Sequence, residues 1–181
     1  EAYLAGGTAC ALQIGHRVSI DLDFFTPHMF EAKKNITSLQ KLGAFELDEQ
    51  SWGTILGQFE KVKFSLFFYE YPLISETEDF NGIAIASLKD IAAMKIDAIS
   101  SRGIKRDFVD LYFICQRGLS LSEIFSFYDR KYGTLASNMI HIKKSLVYFV
   151  DAEASEMPRM LKEIDWSRIK SYFERVVKEI G

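Results

Sequence analysis

The chain has 181 residues and a formal net charge of −3, with 48% hydrophobic and 26% charged residues. This is the balance of a globular domain long enough to bury roughly 70% of its unfolded surface, and its 14% aromatic content, 15 Phe among them, excludes a disordered chain. No apolar run approaches the ~18 residues of a membrane helix, no secretory signal is visible, and Cys10 and Cys115 fall in apolar helical patterns, as buried free thiols of a reducing cytoplasm do.

In chain order, the small-residue turn Gly6-Gly7-Thr8 precedes a short helix over residues 8–15, ended by Gly15. A strand is expected over 19–25, then a helix over 30–42 with Gly43 at its end. Residues 45–48, 54–59 and 62–68 alternate as strands of an antiparallel meander. Asn81-Gly82 signals a turn before a short strand over 83–86. From Ser87 the pattern is helical, with Ser87 and Asp90 close to a capping box. Helices are expected over 88–101, 105–116, 121–131, 134–149 and 166–180, separated by Gly103, Gly118, Gly133 and Pro158. A mixed or antiparallel sheet followed by a C-terminal helical bundle is an α+β plan. It divides into a core over 1–86 and a helical region over 87–181.

Charge divides in the same way. Residues 1–90 carry 7 basic and 13 acidic groups, residues 91–181 carry 15 basic and 12 acidic groups. A basic back half beside an acidic front half suits a polyanion approaching a metal site, and equally describes solvated helix faces.

The chemistry concentrates near the N-terminus. Successive strand residues face opposite ways, so Asp21 and Asp23 project to one side. The turn before them offers backbone N–H groups at a helix N-terminus, a natural place for phosphate. Together they form a seat for a nucleoside triphosphate and Mg2+, with Mn2+ as an alternative. Gly6 and Gly7 let backbone approach a phosphate without Cβ obstruction. Thr8 is placed to donate its hydroxyl to that phosphate or to cap the helix. Further on, Lys95 shares a helix face with Ile91, Ala98 and Arg102, either snorkelling to solvent or pointing into a pocket. Asp107 and Asp110 lie one helical turn apart. The three histidines are scattered without metal-ligand spacing, and no P-loop, nucleophile elbow or Cys-x-x-Cys occurs.

The run Leu4-Ala5-Gly6-Gly7-Thr8-Ala9-x-Ala11-Leu12, followed by His16-Arg17-x-Ser19-x-Asp21-Leu22-Asp23-Phe24-Phe25, resembles the first motif of the polymerase-β-type nucleotidyltransferases. Its wording is closer still to the AbiEii/AbiGii branch, the toxin halves of type IV toxin–antitoxin and abortive-infection systems. A second match, Lys95-x6-Arg102-x3-Arg106-Asp107-x2-Asp110-Leu111-Tyr112, resembles the acidic motif of the same branch. The two matches bracket about the first 115 residues. The chain opens on Glu1, and the family usually carries a helix before this point, so residues are expected upstream.

The resemblance implies a minimal nucleotidyltransferase fold and a Mg2+-dependent transfer of NMP from an NTP to a hydroxyl acceptor. That acceptor would be RNA such as the tRNA 3′ end, or a protein. A cognate antitoxin is the implied partner. Asp21 and Asp23 would hold the metal, Lys95 would neutralise the triphosphate, and Arg102 and Arg106 would extend the phosphate clamp. Asp110 would be the additional functional acid, either activating the acceptor hydroxyl or orienting Lys95. Asp107 would make a salt bridge with Arg102 or Arg106, and Arg17 and Ser19 would contact nucleotide or shape the turn.

Two departures stand out. Thr8 replaces the serine common in the wider superfamily but keeps the hydroxyl. The central strand that often carries a third metal-binding acid reads Lys63-Phe64-Ser65-Leu66-Phe67, with Ser65 in that place. The competing reading is therefore a non-catalytic nucleotide- or partner-binding module. An aspartyl-phosphate phosphatase would want Thr or Val at position 25, where this chain has Phe25. A glycosyltransferase Asp-x-Asp fits neither the Gly-Gly-Thr turn nor Lys95.

Overall fold

In the computed structural model, which describes residues 2–180, a two-residue strand β1 (Tyr3–Leu4) runs at once into α1 (Gly6–Ile14). Gly15 ends that helix in the left-handed conformation (φ 66°), with its N–H bonded to the Ala11 carbonyl. Then come β2 (Leu22–Thr26), α2 (Ala32–Leu42) and the meander β3 (Phe45–Ser51), β4 (Thr54–Phe59) and β5 (Val62–Phe68). A hairpin of β6 (Glu78–Phe80) and β7 (Ile83–Ile85) closes the first half. The rest is helical: α3 (Leu88–Ser101), α4 (Lys105–Gln116), α5 (Leu121–Tyr132), α6 (Leu135–Ser145), a single turn α7 (Val150–Glu153) and α8 (Trp166–Glu179).

The strands form one mixed sheet in the order β3-β4-β5-β2-β1-β7-β6. β2 pairs antiparallel with β1 and parallel with β5, and β1 pairs parallel with β7. This is the expected α+β plan, with three local differences. The expected strand over 19–25 begins only at Leu22, so Asp21 lies just before β2. The expected helix over 134–149 breaks after Ser145, where Val147 and Tyr148 donate to carbonyls three residues back and tighten the chain out of α register. β6 is a short exposed strand whose residues carry no alternation to betray it.

Alternation on β2 and β5 sorts their side chains to two faces. Phe64 and Leu66 face α2, forming a small core with Ile36, Phe45 and Ile55. Asp23, Phe25, Ser65 and Phe67 occupy the other face, where Asp23 is registered opposite Ser65. The larger core joins the two halves of the chain: Tyr3, Leu4, Ala9 and Cys10 pack with Ile91, Ile96, Phe108 and Leu111. α8 closes it through Ile169 and Phe173, with Trp166, Val176 and Val177 on the same apolar stripe. Phe108, fully buried against Phe149, Trp166 and Phe173, holds α4 in place. Both cysteines are buried free thiols, and burial pushes the Cys115 thiol up to about 11. No described helix is long and apolar enough to cross a membrane.

Candidate active site

A cavity of about 420 Å³ opens between the sheet face bearing Asp23 and the helices α3 and α4. Of the residues expected to carry chemistry, Gly6, Gly7, Arg17, Ser19, Asp21, Asp23, Lys95, Arg102 and Arg106 line it. Thr8, Asp107 and Asp110 do not.

The glycine turn is built by its neighbours. Gly6 has φ 67°, a conformation L side chains rarely adopt, and a Cβ there would lie 3.2 Å from Asp23 Oδ2. A Cβ on Gly7 would collide with the Arg17 guanidinium. The two glycines thus admit Asp23 and Arg17 as well as offering backbone to a ligand. Thr8 departs from its expected role as the helix cap. Ala5 is the N-cap, with no side-chain cap. The Thr8 hydroxyl instead donates to the Asp21 carbonyl at 2.5 Å and lies 3.0 Å from Ser19 Oγ. From inside α1, Thr8 therefore ties down the backbone of Asp21.

Behind the cavity wall lies a buried charge cluster. Asp107 and Asp110, three residues apart on α4, face α3 across the Gly103 turn. Lys95 Nζ reaches Asp107 Oδ1 at 2.9 Å and Asp110 Oδ2 at 2.7 Å. Arg17 forks onto Asp110 through Nε at 2.6 Å and Nη2 at 2.9 Å, and its Nη1 donates to the Val18 carbonyl. His16 Nε2 adds a contact to Asp110 Oδ1 at 2.7 Å, while Asp107 is also held by Arg102 at 3.1 Å. Burial alone would raise the Asp110 pKa; Lys95, Arg17 and His16 overturn that and hold it well below the usual carboxylate range. Burial alone would lower the Lys95 pKa, yet Asp110 and Asp107 hold it above its ordinary value.

Of the two roles expected for Asp110, the geometry fits the second: it is fully buried, with both oxygens held by Lys95, Arg17 and His16. It orients Lys95 and Arg17. Asp107 makes the expected salt bridge, with Arg102 rather than Arg106. Lys95 does not snorkel to open solvent: only 5% of it is exposed, and that part faces the cavity. An ammonium carries three donors; Asp107 and Asp110 take two of them.

Asp21 and Asp23 are the opposite case. The Asp23 carboxylate has no hydrogen bond or ion pair among the described residues, and the Asp21 carboxylate has only Arg106 Nη1 at 4.0 Å; their backbone carbonyls accept from Ala5 N–H and the Thr8 hydroxyl. Two carboxylates with uncommitted oxygens on one cavity wall are a fitting donor set for a hard divalent cation. Cys10, His16 and Asp110 also bring ligand atoms within 4.8 Å of one another. There, however, Arg17 and Lys95 already hold Asp110, and burial raises the Cys10 thiol far above its ordinary value, so the trio packs rather than ligates.

Several cavity residues escaped the sequence reading: Phe25, Phe67, Tyr69, Met94, Asp97 and Tyr132. Phe25 follows Asp23 by two positions, and Phe67 follows Ser65 by two, so alternation would have found those. Met94, Asp97, Ala98 and Ser101 form one stripe of α3.

Comparison with known proteins gives concordant findings. The sequence model of the family described as "Nucleotidyl transferase AbiEii toxin, Type IV TA system" matches residues 56–179. The uncharacterized protein aq_aa25 of Aquifex aeolicus (strain VF5) is 40% identical over 186 residues, spanning 99% of this chain and 87% of that protein. Among solved structures, MenT4, a nucleotidyltransferase toxin of Mycobacterium tuberculosis H37Rv, superposes with a TM-score of 0.64 at 14% identity, covering 100% of this chain and 76% of the other. JHP933 from Helicobacter pylori gives 0.58 at 17% identity, covering 99% and 83%. The antibiotic-resistance factor ANT(2'')-Ia gives 0.55 at 14% identity, covering 77% and 86%. At these identities the superpositions establish a shared fold.

Proposed function

The chain belongs to the AbiEii toxin nucleotidyltransferase family, and from that premise we propose that it transfers NMP from an NTP to a hydroxyl on RNA, such as the tRNA 3′ end, releasing pyrophosphate. The observation that carries this reading is the division of the acids: Asp21 and Asp23 are left without strong protein partners on a cavity wall facing Lys95, Arg102 and Arg106.

Asp21 and Asp23 would hold Mg2+, or Mn2+. Bound there, the ion would neutralise charge on the reacting phosphates. The backbone of Gly6 and Gly7 at the start of α1 receives phosphate oxygens. Lys95 supplies its third N–H to the triphosphate, while Asp107 and Asp110 hold it from behind. Arg102 and Arg106, both about half exposed, close over the phosphates from α3 and α4. Arg17 and Ser19 shape the floor beneath. The contribution of the chain is alignment and charge stabilisation, which is most of what phosphoryl-type transfer requires. In the cell this reading makes the protein the toxin of a type IV pair acting in the cytoplasm, with a cognate antitoxin as its partner.

A second reading has one specific observation behind it. Ser65, not an acid, stands opposite Asp23. A nucleotide-binding module without turnover would tolerate that exchange. One experiment separates the two: incubation with Mg2+, each α-labelled NTP in turn and total cellular RNA, beside an Asp21→Ala/Asp23→Ala variant. Label in tRNA-sized RNA with the parent alone is expected. Intact NTP binding without label in RNA or in lysate protein would overturn transfer in favour of the module.

A further inference from the structure

One buried ion pair stands outside everything the cleft chemistry uses. Asp90 in the first turn of α3 and Lys131 in the last turn of α5 have fully buried side chains, with Lys131 Nζ 2.9 Å from Asp90 Oδ1. Lysine is almost never fully buried unless paired, and apolar side chains of similar volume often serve stability as well or better than a buried ion pair. Capping of α3 accounts for part of Asp90, whose backbone N–H donates to Ser87 Oγ while its Oδ2 accepts from that hydroxyl at 2.7 Å. It does not account for Lys131.

Both partners converge on the irregular segment 69–77 between β5 and β6. Lys131 Nζ also donates to the Pro72 carbonyl at 2.8 Å and lies 5.5 Å from the Tyr69 ring centroid. Asp90 accepts from the Ile74 N–H at 2.9 Å and from the Ser75 N–H at 3.3 Å. Arg130, the neighbour of Lys131, donates to the Ile74 carbonyl at 3.3 Å. Side chains of α3 and α5 thus satisfy backbone groups that would otherwise need a strand or water. The same segment begins with Tyr69, whose hydroxyl meets that of Tyr132 at 2.5 Å, and Tyr132 directly follows Lys131. Tyr71 packs edge-on against both rings, with centroids 5.1 and 4.7 Å away. Tyr69 and Tyr132 line the cavity together with Met94 and Asp97 of α3.

Resting on the transferase reading above, we propose that Asp90 and Lys131 are positioning residues for the nucleotide cleft. They fasten segment 69–75 to α3 and α5, and so hold Tyr69 and Tyr132 at the distance from α3 that a bound nucleotide requires. Neither lines the cavity; both act through the tyrosines. Charge suits this task, because a fully hydrogen-bonded buried pair admits one arrangement where an apolar contact admits several.

The test compares Lys131→Met, which leaves Asp90 without its cation, with Asp90→Asn/Lys131→Met, which leaves no buried charge alone. Three quantities are read where melting curves show every variant folded: calorimetric binding of each NTP with Mg2+, the single-turnover transfer rate, and hydrogen exchange of the Ile74 and Ser75 amides. Lys131→Met should melt well below the parent, and the double variant should recover most of that loss. In the double variant the two amides should still exchange at least ~10-fold faster than in the parent. NTP should bind it about tenfold more weakly, part of the ~100-fold that a 1 Å misplacement can cost. Its rate at saturating NTP should stay within ~3-fold of the parent, since what is lost is binding common to ground and transition states. A folded double variant that binds NTP as the parent does would overturn the inference and leave the pair purely structural. A parent that binds NTP but transfers nothing would overturn the transferase reading, while the affinity comparison still decides the role of the pair. A folded parent that binds no NTP would overturn both.

Discussion

Asp21 and Asp23 flank one residue at the start of β2; Asp107 and Asp110 flank two on α4. One pair lines the cleft and the other lies behind its wall, and they end in opposite states. The β2 pair meets the cavity with its oxygens uncommitted, save for Arg106 at 4.0 Å. The α4 pair is fully buried and saturated by Lys95, Arg17, His16 and Arg102. A buried carboxylate survives as an ion only when cations and hydrogen bonds offset its desolvation. A carboxylate left unpaired at a cavity wall is available to a cation from solution. Spending one acidic pair on architecture lets that architecture hold Lys95 in a fixed direction.

The sharpest way to break this contrast is to remove each pair and compare activity with stability. Asp21→Ala/Asp23→Ala should cost turnover at least ~1,000-fold, about 4 kcal/mol of barrier, while the melting curve stays within the ~0.5 kcal/mol of an ordinary surface change. Retained Mg2+-dependent turnover would remove these acids from the site. Asp110→Asn should do the reverse first: chemical denaturation should show a loss of about 3–5 kcal/mol, because the buried Arg17 loses its carboxylate and Lys95 loses one of its two. Asp107→Asn should lose less stability and keep more activity than Asp110→Asn, since its partner Arg102 is half exposed and solvent relieves it. The opposite order in a paired assay would exchange the two roles.

Acid should act through the same pair. Both α4 carboxyls titrate below their ordinary value when folded. The unfolded chain therefore takes up protons first, and the stability these groups give is full above about pH 4 and drains as pH falls below it. The parent's melting temperature should drop more steeply there than that of Asp110→Asn. The smallest effect is expected from Thr8→Val, which keeps the shape but removes the bond to the Asp21 carbonyl. It should cost about 0.5–1.5 kcal/mol in denaturant and weaken Mg2+-dependent turnover, whereas a phosphate ligand would show its loss in NTP affinity.

Much of this was legible in the residues. Alternation marked β4 and β5, glycine punctuated the helices, and the α+β plan followed from strands giving way to helical periodicity. The short spacing of Asp21 and Asp23 put them on one side of the chain, and the turn before them announced a ligand site. What stayed hidden was pairing. Thr8 looked like a cap because helix entry is written with such residues, but the helix had already begun at Gly6. Asp110 read as either an available acid or a support for Lys95, because His16 and Arg17, which settle its pairing, stand more than 90 positions away.

The sequence by itself determined which elements form and which side chains can carry charge, because both depend on neighbours within a few residues. The tertiary structure decided which charges stay free. His16 and Arg17 reach Asp110 from 94 and 93 positions away. They are held there because backbone of residues 16–18 pairs with residues 159–161 far down the chain. Charge neutralisation in a low-dielectric interior depends on distances of a few ångströms, and only the folded packing of α1, α3 and α4 sets those.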